Sequence, residues 1–355
     1  MAFIDIILRE PSYGWQNKNG ELVKPSISQL FSEFFSRINI FKSKKNWLAL
    51  MAWFSLVLLV PFLYFFFSTY FSWWLLGAAF VYSMIFMGSY GTVWHHRYCT
   101  HHAYTFRNGF WRFITQNLVI RMIPEEIYVV SHHVHHSKSD QPGDPYNAFG
   151  GWLYCFLADA NHQPIAQDLN EENYARVSEL MNETGTRRNT YSQYKKWGSV
   201  SHPLNTIGGW LLNWIFWFTV FYLIGGIGLA CALFGSAAVW AFGVRTFNFE
   251  GHGKGTDRRK EGFDFSKDDM SVNQYWPGIV AGEWHSNHHL FPGSARTGFL
   301  PTQIDFAWMY IYSLHKIGGI SSFRDSKKQF LKEYYIPYIQ SKKTKVVSAD
   351  SPAVR

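Results

Sequence analysis

Residues 47–67 read WLALMAWFSLVLLVPFLYFFF, 21 residues without a formal charge. At a rise of about 1.5 Å per residue a helix of that length reaches about 30 Å, the thickness of one bilayer hydrocarbon core. After Ser68-Thr69-Tyr70 a second uncharged run extends from Phe71 to Trp94, so the pair reads as a helical hairpin through a membrane. The design recurs downstream. Ile207 to Ile224 is apolar except for Asn213 and Thr219, Gly225-Gly226 supply a break, and Ile227 to Val244 leads back.

Charge sets the expected orientation, because cytoplasmic loops carry the excess of Lys and Arg. Lys42, Lys44 and Lys45 precede the first run, His96-Arg97 follow the second, Lys195-Lys196 precede the third and Arg245 closes the fourth, whereas both hairpin turns are uncharged. The expected architecture is an all-α, multi-pass integral membrane protein with four transmembrane helices in two hairpins and a helical cytosolic cap. Spans fall at about 47–67, 71–94, 207–224 and 227–244. The segment 1–46 is a cytosolic N-terminal segment, 47–305 the membrane domain with a cap built from 95–206 and 248–305, and 306–355 a cytosolic C-terminal helix and tail, solvated from Ser341 onward. Both termini and the cap face the cytosol.

Composition agrees with this reading. The 355 residues are 47% hydrophobic and 19% aromatic, with 16 Trp, 20 Tyr and 32 Phe. Rings with a polar handle gather where apolar and aqueous regions meet. The formal net charge of +8 suits an anionic lipid surface or a phosphorylated substrate. No zinc-finger spacing, RNA-binding aromatic motif or basic helical stripe speaks for nucleic acid. Three dispersed cysteines, Cys99, Cys155 and Cys231, read as free thiols in a reducing compartment. Asn182-Glu183-Thr184 is a glycosylation sequon on the wrong side of the membrane, and Gly225-Gly226-Ile227-Gly228 lacks the preceding strand of a nucleotide loop.

Most of the 15 histidines gather in three short clusters. The first, Trp94-His95-His96-Arg97-Tyr98-Cys99-Thr100-His101-His102, directly follows the second span. The others are Ser131-His132-His133-Val134-His135-His136 and Gly282-Glu283-Trp284-His285-Ser286-Asn287-His288-His289. On a helix, positions i, i+3 and i+4 share a face, so His132, His135 and His136 are expected to point at one place, and likewise His285, His288 and His289. With His96 and His101 this makes eight imidazoles, more than one tetrahedral zinc ion takes, and two metal ions are the economical explanation. A nitrogen-rich site beside apolar spans suits activation of O₂ against an unreactive C–H bond. His162, His202 and His315 stand alone and read as structural.

At these residues the chain resembles the membrane fatty acyl desaturases, most closely the acyl-CoA (stearoyl-CoA-like, Δ9) branch, whose pattern H-x-x-x-x-H, H-x-x-H-H, H-x-x-H-H occurs here in order. The resemblance runs from the first span to about Asp305. It implies a non-haem di-iron site with His96 and His101, then His132, His135 and His136, then His285, His288 and His289 as metal ligands. It adds His252 as ninth ligand and Asn248 as a contact through water, from Asn248-Phe249-Glu250-Gly251-His252 after the fourth span. His95, His102 and His133 are extra to the pattern. Metal-bound imidazoles commonly donate their other N–H to a carboxylate, and Asp140, Asp144 and Glu283 are near enough in sequence.

The implied reaction is O₂-dependent insertion of a cis double bond, at Δ9 by resemblance, into a long saturated acyl chain carried on coenzyme A. O₂ is co-substrate and no catalytic residue beyond the metal ligands is expected. With no nucleotide motif and no His-Pro-Gly-Gly haem signature, electrons must come from an external donor, a ferredoxin or a cytochrome b-type protein with its reductase. Lys138, Lys254, Arg258, Arg259 and Lys260 are candidates for docking that donor or the substrate phosphates. A hydroxylase, ketolase or aldehyde-processing oxygenase on a lipid-like substrate would use the same ligands. A metal transporter or storage protein would want polar residues inside the spans, which are nearly free of them.

Overall fold

A computed structural model describes residues 2–255 and 284–349. The elements that place the site are α1 (Ile27–Ile38), α2 (Trp47–Thr69), α3 (Trp73–Thr100), α4 (Glu125–Lys138), α5 (Trp152–Phe156), α6 (Pro203–Val244), α7 (Phe247–Gly251) and α8 (His285–Leu290). Among the described residues α2, α3 and α6 are long and apolar enough to cross a membrane. They carry outward-facing Phe54, Val57, Tyr64, Phe65, Leu212, Ile215, Leu223 and Ile224, an apolar belt that fits a membrane protein.

α6 runs for 42 residues, which would extend about 63 Å if straight, twice the bilayer core. It is not straight. Gly225 (φ −145°, ψ 20°) and Gly226 (φ 68°, ψ −168°) leave helical geometry, and the chain folds back on itself. Trp214 and Phe234 therefore sit with ring centroids 6.1 Å apart, and Phe62 of α2 touches both Phe218 (6.1 Å) and Phe234 (5.1 Å). The positive φ at Gly226 is cheap only without a Cβ. Small residues line the returning half: Ala230, Ala232, Ala237, Ala238 and Ala241 are fully buried, which lets helix backbones approach closely.

The long apolar helices also organise the segment that carries the second histidine cluster. Asn213, one of the two polar residues of the third apolar run, accepts from the Arg121 N–H (3.0 Å) and donates to the Val119 carbonyl (3.1 Å). Trp214 and Trp217 donate their indole N–H to the Arg121 and Asn117 carbonyls (3.0 Å each). The backbone that leads into α4 is thus held by three side chains of α6. At the start of α4, buried Glu126 accepts from the N–H groups of Val200 (2.9 Å) and Ser201 (2.7 Å), while Glu125 pairs with Arg121.

Three expectations are corrected. The fold is not purely α: β1 (Tyr104–Phe106) pairs antiparallel with β2 (Ile320–Phe323), with Tyr104 opposite Phe323, after the Ala103 N–H has made the last bond back to the helix, at the Arg97 carbonyl (2.7 Å). The second apolar helix does not end at Trp94 but continues to Thr100. Residues from Ser341 are not all tail, since a helix spans Ile336–Ala349; no Gly and no further Pro interrupts that run until Pro352.

α6 meets the backbone of α2 at Gly235, where a Cβ would lie 2.7 Å from Leu63 Cα and 2.9 Å from Leu63 N. Backbone cannot yield as a side chain can, so Gly235→Val is expected to force α6 off α2 and cost about 1–3 kcal/mol, read as a lower thermal midpoint of the detergent-solubilised protein. An unchanged midpoint would show that this contact is not close-packed.

Candidate metal centre

The first histidine cluster ends α3, and α3 does not end as an α-helix. From Gly91 to Thr100 it is a π-helix, with the His101 N–H bonded to the His96 carbonyl at 3.0 Å. Five residues span about 140° around an α-helix of 3.6 residues per turn, which would aim His96 and His101 apart. Bonding i to i+5 brings them onto one side, and their ring centroids are 4.9 Å apart. The turn brings His101, the first of the two adjacent histidines, beside His96. His102 follows at φ 47° and is exposed, outside the convergence.

Nine histidines converge, in two sets. His96, His101, His132, His136 and His288 form one and His135, His252, His285 and His289 the other, each with one ring nitrogen per residue and all of those atoms within 4.8 Å of one another. Nε2 atoms meet at 3.0 Å between His96 and His288, 2.9 Å between His288 and His136, and 2.8 Å between His285 and His252. The sets adjoin, with the His136 and His289 rings stacked at 4.8 Å.

The expectation that each cluster points at one place is therefore corrected. α4 sends His132 and His136 to the first set and His135 to the second, whereas α8 sends His285 and His289 to the second and His288 to the first. Around an α-helix, i+4 lies about 40° to one side of i and i+3 about 60° to the other. That divergence is small on a helical wheel and is enough to choose between two sites a few ångströms apart.

Two outer ring nitrogens are held by carboxylates. His135 Nδ1 meets both Asp144 carboxylate oxygens at 3.0 Å, and Asp144, fully buried, also accepts the N–H groups of Asp140 (2.9 Å) and Tyr146 (3.2 Å). His252 Nδ1 meets Asp140 Oδ2 at 3.0 Å, with Asp140 itself at φ 61°. An ionised carboxylate only accepts, so opposite ionised Asp140 and Asp144 both rings donate from Nδ1 and present the Nε2 lone pair to the cluster. Two of the three carboxylates expected near the ligands are thus in place; Glu283 lies outside the described residues, as do Arg258, Arg259 and Lys260. Lys138 pairs with Asp5 (2.5 Å) and Lys254 with Glu250 (3.2 Å). Asn248 sits on α7 one turn before His252, partly buried.

Several contributors escaped sequence reading. Tyr146 places its hydroxyl 2.8 Å from His132 Nδ1, and no periodic signal marks it. Arg97, which reads as a positive-inside charge, is fully buried and pairs with Asp305 (3.0 Å) while donating to the Ala295 carbonyl (2.7 Å) and Thr297 Oγ1 (2.9 Å). Asn287 of α8 donates to the Thr297 carbonyl (2.7 Å). One polar core thus ties the residue after His96 to the helix that carries His288. His95 turns away, its Nε2 at the Ile123 carbonyl (3.2 Å). His162 lies under Tyr154 at 4.0 Å and bonds to Tyr13, and His315 bonds to the Ile320 carbonyl, as structural histidines do.

The donor set fits metal. Burial pushes His132, His135, His285, His288 and His289 well below the ordinary imidazole range and His136 down to about 3, with neighbouring imidazoles adding to the effect. They are neutral at pH 7, the form that ligates. Among the described residues, buried His101 Nε2 and His135 Nε2 have no hydrogen-bond partner. Five plus four imidazoles exceed one tetrahedral ion and are compatible with a pair of nitrogen-loving transition metals.

A family model described as fatty acid desaturase matches residues 71–301. Among curated proteins, the sn-1 stearoyl-lipid 9-desaturase of Anabaena variabilis is 26% identical over 282 residues, 78% of this chain and 93% of its own. The chloroplastic palmitoyl-monogalactosyldiacylglycerol delta-7 desaturase of Arabidopsis thaliana is 28% identical over 199 residues, 54% of this chain and 46% of its own. The icosanoyl-CoA 5-desaturase of Limnanthes douglasii is 25% identical over 213 residues, 58% of this chain and 53% of its own. No solved structure matches at a significant level.

Depressed histidines make the metal-free protein acid-sensitive. Below the unfolded value of about 6.5 the unfolded chain binds protons that the folded site refuses, so stability is complete above that pH and falls as pH drops, by up to about 1.4 kcal/mol per histidine per unit. Thermal midpoints of the chelator-treated protein should therefore fall steeply from pH 7 to pH 5; a flat profile would show that the folded site takes up protons freely.

Proposed function

The chain belongs to the fatty acid desaturase family, and on that premise we propose that it inserts a cis double bond into a long saturated acyl chain, at Δ9, using O₂. The observation that carries this reading is the division of nine imidazoles, five buried and four half-buried, into adjoining sets of five and four, backed by Asp140, Asp144 and Tyr146.

In this reading His96, His101, His132, His136 and His288 hold one iron. His135, His252, His285 and His289 hold the other, with Asn248 completing it through a water. Iron bound there supplies reduction of O₂ and oxidation of the acyl C–H bonds. The protein's part is positioning: Asp140 and Asp144 fix two rings and raise their basicity, and the surrounding apolar residues keep water from the site. Electrons come from a ferredoxin or a cytochrome b-type protein with its reductase. Lys254, exposed, and the segment Arg258-Arg259-Lys260 are the docking candidates, while Lys138 is committed to Asp5. The four helical runs, with α6 counted as two at Gly225-Gly226, cross the bilayer as two hairpins with both termini and the metal centre on the cytosolic side.

The carrier follows from two sources. The acyl-CoA pattern of the histidine clusters favours a coenzyme A thioester, whereas the name of the Anabaena relative specifies an acyl chain on a lipid. Supplying purified protein and reductant with stearoyl-CoA or with stearoyl glycerolipid separates the two.

The deciding experiment is the fatty acid profile, with double bonds located by mass spectrometry, of a desaturase-deficient host carrying this chain or His136→Ala. New cis-monounsaturated acids that vanish in the variant are expected. No new double bond from iron-loaded wild type with a compatible reductant would refute desaturation and turn the search to hydroxylated products. A second readout needs no turnover: Asp144→Asn should weaken iron retention about 10–100-fold, measured as metal content after graded chelation, with an unchanged content refuting its role in fixing His135.

A further inference from the structure

We propose that residues 27–41 form an in-plane membrane anchor, with the headgroup–acyl boundary of the bilayer as the partner of the outer face of α1. The proposal rests on the membrane reading of α2 and goes beyond it, since this segment precedes the first span and is too short to cross.

α1 is inside-out for a water-facing helix. Its only charged residues, Glu33 and Arg37, pair with each other on the inner face with side chains 6% and 3% exposed. Glu33 accepts the Ser12 N–H (3.2 Å) and Arg37 donates to the Glu10 carbonyl (2.6 Å). The outer face instead shows Ile27, Phe31 and Phe35 at 68%, 41% and 62% exposure, spaced i, i+4, i+8, and the stripe runs on to Ile40 and to Phe41 at 99%. No formal charge lies on that face, although a helix beside water places its charges outward.

Continuity with the lipid-facing spans identifies the occupant. Asn46, the residue before α2, donates to the carbonyls of Ser36 (3.0 Å) and Asn39 (2.9 Å), fixing the end of α1 at the base of that helix. Phe34 packs edge-on against Trp53 of α2 at 4.8 Å, Trp53 meets Phe156 of α5 at 5.7 Å, and Phe156 stacks on Trp152 (4.8 Å) and on Phe242 of α6 (6.0 Å). Arg245, over Trp53 at 4.6 Å, ends the apolar zone of α6 at the same level. Aromatic residues from four elements thus line up where the helices leave the apolar zone, the place of an interfacial belt. Exposed Lys42 and Lys44 follow Phe41 directly, so anionic headgroups complement the anchor.

The anchor bears on the metal centre through the N-terminal segment. The inner face of α1 grips Glu10 and Ser12, Leu8 bridges to Ile165, and Asp5 pairs with Lys138 at the end of α4. α4, which carries three ligand histidines, is thereby tied to the membrane surface as well as to α6.

The test uses the full chain in vesicles of phosphatidylcholine and phosphatidylglycerol. Thiol-reactive fluorophores are placed singly by Phe35→Cys, Phe41→Cys, Asn19→Cys and Val57→Cys; the native cysteines are buried. Probes at 35 and 41 should emit to the blue of the Asn19 probe, be quenched severalfold more by lipids brominated near the headgroup, and be shielded severalfold from aqueous iodide. Iodide access at 35 and 41 with lipid quenching at 57 overturns the anchor alone. Shielding from iodide without lipid quenching assigns the face to protein and also overturns it. Iodide access at 57 as well removes the membrane reading on which the proposal rests.

Discussion

Seven of the nine converging imidazoles bring a ring nitrogen within 2.8–3.1 Å of another's, a density of nitrogen donors that the rest of the structure has to hold in place. Burial disfavours the charged forms of His132, His135, His136, His285, His288 and His289, and lone pairs set against lone pairs repel. A cation in each set would turn that repulsion into ligation, and the two groups of imidazoles are compatible with one apiece. Asp140 and Asp144 answer the same constraint from outside, since a carboxylate on Nδ1 fixes the tautomer that leaves Nε2 free to bind.

Holding the sets in place requires stiff elements, and their stiffness comes from the apolar helices. α6 grips the backbone before α4 through Asn213, Trp214 and Trp217, and α3 does so through Tyr82 and His95. α3 enters the site directly, its last turns widened to a π-helix so that His96 and His101 act together. On the far side the buried Arg97–Asp305 pair draws the segment after α8 against α3. Breaking one partner of such a pair leaves an uncompensated buried charge, which costs several kcal/mol. Arg97 is therefore part of the site's framework although it touches no ligand nitrogen.

The same helices explain why the chemistry sits at the edge of the apolar zone. A histidine set deep in hydrocarbon would have no second polar layer; one free in the cytosol would meet water. At the ends of α3 and α6 the cap supplies carboxylates and a tyrosine while the spans supply the apolar wall, a setting matched to an acyl chain that is itself apolar.

Much of this was legible in the sequence, because the signals were local. Uncharged runs of span length, a Gly-Gly break and the spacing of histidines within six residues depend on helical geometry alone, and the resemblance added His252, which no local pattern marks. What only the tertiary structure decided was how those local faces combine. Whether His135 joins His136 or His252, and whether Arg97 faces solvent or Asp305, depend on partners as distant as 208 residues along the chain. The π turn between His96 and His101 belongs to the same class, since a helix adopts the less favourable bonding pattern only where packing around it repays the cost.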